Sequence, residues 1–209
     1  MRSKTMRQLF ITAAALAFAG AAHADHHGDA DAGKARSAVC AACHGPDGNS
    51  VNPEWPTLAG QHADYIADQL KAFQEGHRKN VLMSPMAMGL SADDMANLAA
   101  YYSSQTTKVS EVDPAIADHG RQLYYAGDTE RGIPACAACH GPTGRGNGPA
   151  GMPMLSGQRS GYTIKQLKEY ADGTRVAPSE VKNSMMQQTA SMLTPEDMAA
   201  LAGFIQGLK

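Results

Sequence analysis

Apolar positions along this chain recur at helical spacing wherever they recur at all. Tyr65, Ile66, Leu70 and Phe73, with Gln69 between them, form a stripe at steps of three and four that Gly76 stops. A second helix is clearer still. Ser91 with Asp94 three residues on is a capping-box pattern, and Met95, Leu98 and Tyr102 carry the stripe that follows. The same arrangement returns near the end of the chain: Thr194 caps, Pro195 occupies the first turn, Asp197 completes the box, and Met198, Leu201 and Ile205 form the stripe. Asp31 to about Ala42 reads as an opening helix. After it, Gly45 to Pro56 is rich in Gly, Pro and Asn, has no period and reads as irregular loop. No segment alternates well enough to be a strand, so the pattern predicts an all-α protein.

The first residues follow a different logic. Arg2, Lys4 and Arg7 precede an apolar run from about Leu9 to Ala22, which ends in Ala22-His23-Ala24. That combination predicts a signal peptide over residues 1–24, cleaved after Ala24, and hence a periplasmic protein. The run is too short and too rich in alanine for a membrane span, and no later segment has the roughly 18 apolar residues that one needs. Cleavage removes three of the 18 basic residues and none of the 20 acidic ones, leaving a formal charge of −5. An acidic chain without basic patches interleaved with aromatics does not suit nucleic acid. It suits a partner with a basic docking face and a salt-sensitive encounter.

The chain is also duplicated. Setting Cys40 on Cys136 aligns Gly45-Pro46 with Gly141-Pro142 and Gly48 with Gly144. With one residue of slack, Pro56 to Gln61 meets Pro153 to Gln158, Tyr65 meets Tyr162, Gln69-Leu70 meets Gln166-Leu167, Gly76 meets Gly173 and Arg78 meets Arg175. A six-residue insertion then brings Leu90-Ser91 onto Leu193-Thr194, Leu98 onto Leu201 and Tyr101 onto Phe204. Two domains follow, at 25–106 and 115–209, joined by a polar linker at 107–114. Each is small enough that a protein-only core is marginal, so a buried cofactor would supply much of the apolar filling.

The cofactor is written in the repeat. Cys40-Ala41-Ala42-Cys43-His44 returns as Cys136-Ala137-Ala138-Cys139-His140 and uses all four cysteines. Cys-x-x-Cys-His is the attachment signature of c-type haem: both thiols join the vinyl groups and the adjacent imidazole becomes the proximal iron ligand. Residues at i, i+3 and i+4 share one helical face, which is the geometry this needs. A thioredoxin-like dithiol or a four-cysteine zinc site are the alternatives. Neither needs a histidine directly after both pairs, and zinc would fuse two halves that each carry complete surroundings. Export fits as well, because c-type haem is attached outside the bacterial cytoplasm, and four propionates would add to the acidity.

For the sixth iron ligand the repeat separates candidates among 12 methionines. Met83 lies seven residues before Leu90, and Met186 lies seven before Leu193. Met86 and Met185 stand in reserve, and an ordinary methionine is core filler. His26, His27, His62, His77 and His119 occur in one half only and read as solvated or capping residues.

Taken together, the two CAACH motifs with their Gly-Pro, the PTLAGQ and PMLSGQ segments, Tyr-x3-Gln-Leu, the Gly-x-Arg pairs, the two methionines and the closing LAAYYSSQ and LAGFIQGL helices resemble the di-haem cytochrome c4 family. The resemblance covers essentially the whole mature chain. It implies two tandem class I cytochrome c domains related by a pseudo-twofold axis, with His/Met haems whose propionate edges face each other. It implies an electron carrier, reduced by a quinol-oxidising complex or small cytochrome and oxidised by a haem-copper terminal oxidase, with some relatives loosely associated with the membrane. Pro56 and Pro153 match the proline whose carbonyl orients the proximal imidazole. Gly33 and Gly120 match the glycines where the first helix crosses the last, under Tyr101 and Phe204. The second half departs by an extra stretch, Tyr124 to Pro134, and a longer lead to Met186.

Methionine opposite imidazole raises the potential relative to bis-histidine ligation, and two filled axial positions leave no substrate site, so outer-sphere transfer is expected. The rival readings are a di-haem peroxidase and the cytochrome subunit of a periplasmic dehydrogenase. A peroxidase needs a displaceable ligand beside acid-base groups, and no such cluster stands out.

Overall fold

Side-chain caps start several of the helices in the computed structural model, which describes residues 28–112, 114–175 and 180–209. The expected signal peptide, His26 and His27 lie outside the described residues. In the first half, Asp29 caps α1 (Ala30–Arg36) by accepting from the amides of Asp31 and Ala32 at 2.8 and 3.1 Å. The single opening helix expected to about Ala42 is in fact two. Ser37 donates its hydroxyl to the Lys34 carbonyl at 2.8 Å, which competes with the helical ladder, and α2 (Ala38–His44) begins anew beyond it. α3 (Ala63–Gln74) ends before Gly76, whose φ of 75° suits glycine.

A short helix that the pattern did not announce, α4 (Met83–Met88), starts where Asn80 accepts from the amides of Leu82 and Met83 at 2.9 and 3.0 Å. Pro85 is tolerated because it falls in the first turn. α5 (Ala92–Ser103) has the complete capping box of Ser91 and Asp94.

The second half repeats the plan in α6 (Pro114–Ala126), α7 (Ala137–His140), α8 (Ser160–Ala171), α9 (Glu180–Ser191) and α10 (Pro195–Ile205), the last with the capping box of Thr194 and Asp197. Twelve residues of α9 stand against six of α4, so the six-residue insertion extends that helix at its start. Among the described residues there is no strand, only isolated bridges at Asp128–Ile133 and Asn147–Met152.

In each half the first helix crosses the last at a glycine. A Cβ on Gly33 would strike the Asn97 carbonyl and lie 2.8 Å from Tyr101 Cβ; one on Gly120 would strike the Ala200 carbonyl and lie 2.7 Å from Phe204 Cβ. Backbones approach this closely only without the side chain. Behind each crossing sits a core, built on Leu98, Tyr101 and Tyr102 in the first half and on Tyr124, Leu201 and Ile205 in the second.

The aromatic residues of these cores come from opposite helices. Tyr101 on α5 donates to the Pro46 carbonyl at 2.8 Å, while the matching Pro142 carbonyl receives Tyr125 of α6 at 2.9 Å, because Phe204 has no hydroxyl. Tyr124 lies in the last turn of α6 and is fully buried, so it belongs to the core and is not the beginning of the extra stretch as the sequence suggested. The excursion proper begins at Gly127, with φ 68°, and is closed by the Asp128–Ile133 bridge. Arg131 at its tip reaches back to Asp197 at the start of α10, at 2.7 Å.

Candidate functional site

Both pentapeptides end a helix at their histidine. Cys40, Cys43 and His44 occupy the last turn and a half of α2; Cys136 precedes α7, which carries Cys139 and ends at His140. Gly45 and Gly141, with φ 81° and 77°, turn the chain away immediately afterwards. No disulfide ties the thiols. Cys40 and Cys136 lean on the two cores, and burial raises both thiol pKa values, that of Cys136 to about 11. They are neutral thiols at neutral pH. The two pairs belong to separate helices, and among the described residues no group of three His, Cys, Asp or Glu gathers as the four-cysteine alternative would require.

His44 and His140 are each 6% exposed. His44 Nδ1 lies 2.8 Å from the Pro56 carbonyl, and His140 Nδ1 lies 2.9 Å from the Pro153 carbonyl. A carbonyl can only accept, so Nδ1 carries the proton in both rings. Burial lowers each imidazole pKa against the smaller raising effect of that hydrogen bond, so the rings are neutral and Nε2 keeps its lone pair. Each half thus offers two thiols and one imidazole nitrogen on adjacent turns.

Met83 lies in the first turn of α4, half-buried, and Met186 lies in the middle of α9, also half-buried. Met86 and Met185 are more open, at 53% and 41% exposure. α4 is held to α3 by Gln74, which donates to the carbonyls of Ala87 and Leu90 at 3.2 and 2.9 Å. α9 packs in turn on α8. The Tyr102 hydroxyl is buried without a hydrogen bond, beside Cys40. Two thiols, a neutral imidazole presenting Nε2, a thioether on a neighbouring helix and an orphaned hydroxyl at the thiol fit a covalently held porphyrin in the first half. The second half has the same donors.

The repeated polar residues, whose purpose the sequence left open, meet across the boundary between the halves. Arg78 donates to Gln69 of its own half at 2.8 Å, and to Tyr162 and Gln166 of the other half at 2.9 and 2.6 Å. Arg175 mirrors it, donating to Gln166 at 2.6 Å, Tyr65 at 2.7 Å and Gln69 at 3.1 Å. Each guanidinium also covers an aromatic ring, Phe73 or Tyr170, at 4.6 Å from the centroid. Burial would raise the Tyr162 phenol, but the two arginines bring it below its ordinary value.

His62 is part of this seam, with Nε2 2.8 Å from the Arg145 carbonyl, and His119 is bonded to Asp197 at 2.8 Å. The sequence reads both as solvated or capping residues; each instead ties together segments distant in the sequence. The linker is fastened too: the Lys108 amide donates to Asn49 at 2.8 Å and the Ser110 amide to the Gln206 carbonyl at 2.9 Å. A shared sequence period was the only sign of the seam, and it did not say which repeated residues would touch.

The cytochrome c family model matches residues 30–106 and 117–209. Cytochrome c4 of Pseudomonas aeruginosa is 41% identical over 206 residues, covering 99% of both chains. The thiosulfate dehydrogenase electron acceptor of Thiomonas intermedia is 40% identical over 174 residues, covering 81% of this chain and 78% of its own. Among solved structures, reduced recombinant cytochrome c4 from Pseudomonas stutzeri superposes with a TM-score of 0.82 at 42% identity, covering 87% of this chain and all of that one.

Proposed function

We propose, from the premise that this chain belongs to the cytochrome c4 family, that it carries electrons in the periplasm from the quinol-oxidising side of a respiratory chain to a haem-copper terminal oxidase. The chain is an electron-transfer protein of two tandem cytochrome c domains with two covalently attached c-type haems. We take the domains as residues 25–106 and 115–209 with the linker at 107–114, and residues 1–24 as a signal peptide. Among the described residues no helix is long and apolar enough to cross a membrane.

Bound haem supplies a one-electron iron couple. Everything else falls to the chain. Cys40 and Cys43, and Cys136 and Cys139, are the thiols that hold it. His44 and His140 would offer Nε2 to the iron, while each Nδ1 keeps its proton and donates it to the Pro56 or Pro153 carbonyl, which fixes ring orientation and basicity. Met83 and Met186 would offer thioether sulfur as the second protein donor to each iron, a donor that favours the reduced state. The buried arginine seam holds the two domains in one relative placement, which would keep the two cofactor sites at a constant separation. The observation that carries the reading is the doubled His–Pro geometry behind two identical attachment motifs. The acidic mature surface adds a docking preference for basic faces, weakened by salt.

Relatives named as thiosulfate dehydrogenase electron acceptors favour a second donor. The purified holoprotein is therefore offered three partners: quinol with quinol-oxidising membranes, thiosulfate with thiosulfate dehydrogenase, and a haem-copper oxidase. Fast reduction by the first and oxidation by the third, both slowed by salt, is expected. Reduction by the dehydrogenase alone moves the chain to sulfur oxidation, and inertness toward the oxidase contradicts the proposed acceptor.

A further inference from the structure

We propose that Gln158 and Gln61 are positioning residues for the axial histidine of the domain to which they do not belong, each polarising the peptide that holds that histidine. The proposal rests on the reading of His44 and His140 as iron ligands.

One peptide group is used from both ends. The Pro56 carbonyl accepts the His44 Nδ1 proton at 2.8 Å, and the amide of that same peptide, on Thr57, donates to Gln158 Oε1 of the second domain at 2.8 Å. Gln158 Nε2 also donates to the Thr57 carbonyl at 3.0 Å, so the carboxamide grips the backbone on both sides. The mirror arrangement is complete. The Pro153 carbonyl holds His140 at 2.9 Å, the Met154 amide donates to Gln61 Oε1 at 2.8 Å, and Gln61 Nε2 donates to the Met154 carbonyl at 2.9 Å. Both glutamines are buried. Their orientation is settled by their neighbours: Gln158 Oε1 also accepts from the Arg159 amide at 2.9 Å, and Gln61 Oε1 from the His62 amide at 3.1 Å, so a flipped carboxamide would set NH2 against two donors.

Hydrogen bonds in a chain polarise one another, and a dry site strengthens the effect. A peptide whose N–H is bound to an acceptor carries more negative charge on its carbonyl oxygen. That oxygen draws harder on the imidazole Nδ1 proton, and the ring becomes a more basic ligand through Nε2. A more basic ligand favours the oxidised iron. Each domain thereby lowers the potential of its neighbour's haem, and the value is set only when the two are docked.

The test is spectroelectrochemical titration of the holoprotein, with hyperfine-shifted haem methyl resonances assigning each potential to its domain. Gln158→Leu keeps bulk and loses both bonds to Thr57 as well as the one from the Arg159 amide; the first-domain haem should become easier to reduce by about threefold, or about 30 mV at 59 mV per tenfold. The second-domain haem should stay in place. Gln61→Leu should give the opposite pattern. Gln158→Glu retains an acceptor, so the first-domain potential should stay at or below the wild-type value. Equal shifts in both haems, a shift confined to the variant's own domain, no shift, or a rise in Gln158→Glu would each overturn the inference. A wild-type protein without two thioether-linked haems would instead overturn the reading beneath it, and mass measurement shows which has failed.

Discussion

Replacing Asp197 by Asn loosens the excursion that precedes the second attachment motif. Asp197 is buried, its side chain 4% exposed, at the start of α10. It accepts from the Thr194 amide at 2.9 Å, His119 Nε2 at 2.8 Å and Arg131 at 2.7 Å. Burial would raise its pKa, but those bonds hold the carboxyl well below the usual range. Asn keeps the shape and one oxygen, yet loses the charge and turns an NH2 toward donors. A bond to a charged group contributes about 1.5 to 3 kcal/mol, and the half-exposed His119 and Arg131 discount two of the three. The expected net loss at pH 7 is about 2 kcal/mol.

The pH dependence has a definite sign. A carboxyl whose folded pKa is depressed contributes fully above its unfolded value of about 3.9 and loses that contribution as pH falls toward the folded value. Asn does not titrate. Equilibrium urea unfolding, followed by circular dichroism and Soret absorbance, should therefore show the gap between wild type and Asp197→Asn shrinking by about 1 kcal/mol from pH 7 to pH 3. A gap that stays constant across that range, or is absent at pH 7, refutes the argument.

Four further outcomes follow from other parts of the molecule. Met83→Ala should convert the first haem from low-spin toward high-spin and shift its potential, with Met186→Ala doing the same to the second; an unaltered near-infrared charge-transfer band in either variant removes that methionine from the ligand set. Gly33→Ala should cost about 1 to 2 kcal/mol in urea unfolding, because overpacking against Asn97 and Tyr101 outweighs the helix-propensity gain of about 1 kcal/mol. Gly76→Ala, where nothing crowds the position but φ is 75°, should show only the backbone strain of about 1 to 2 kcal/mol. Arg175→Leu strips Tyr65, Gln69 and Gln166 of a charged donor, so in differential scanning calorimetry the wild type should melt in one transition and the variant in two, one per domain; an unsplit transition in the variant speaks against the seam as the coupling element.

What could be read in advance was the chemistry that acts within a few residues. Ser91 with Asp94 and Thr194 with Asp197 cap their helices in the structure as they do in the pattern, because both partners of a capping box lie on one turn. The attachment motifs are equally local. α4 and α9 escaped notice because α4 begins on an Asn80 side chain and carries Pro85, and α9 has no sustained stripe. The break at Ser37 turns on one hydroxyl, which helical periodicity does not register. Gln61, Tyr65, Gln69 and Arg78 stood out as repeated, but their partners lie 84 to 110 residues away, and repetition does not reveal what two copies touch. Tyr124 was misplaced because the fully buried tyrosine of the core comes from α5 in the first half, as Tyr102, and from α6 in the second, and the alignment of the closing helices does not show that swap.

We propose that each half holds one thioether-linked haem with His44 and Met83, or His140 and Met186, as the protein donors to its iron, so that the molecule relays charge. Spectroelectrochemistry of the purified protein, combined with its intact mass, tests this in one preparation. The expected result is two haems per chain that survive acidified-acetone extraction, both low-spin in each oxidation state and each taking up one electron. Pigment that extracts freely, a metal other than iron, or a high-spin haem that turns over peroxide would contradict it.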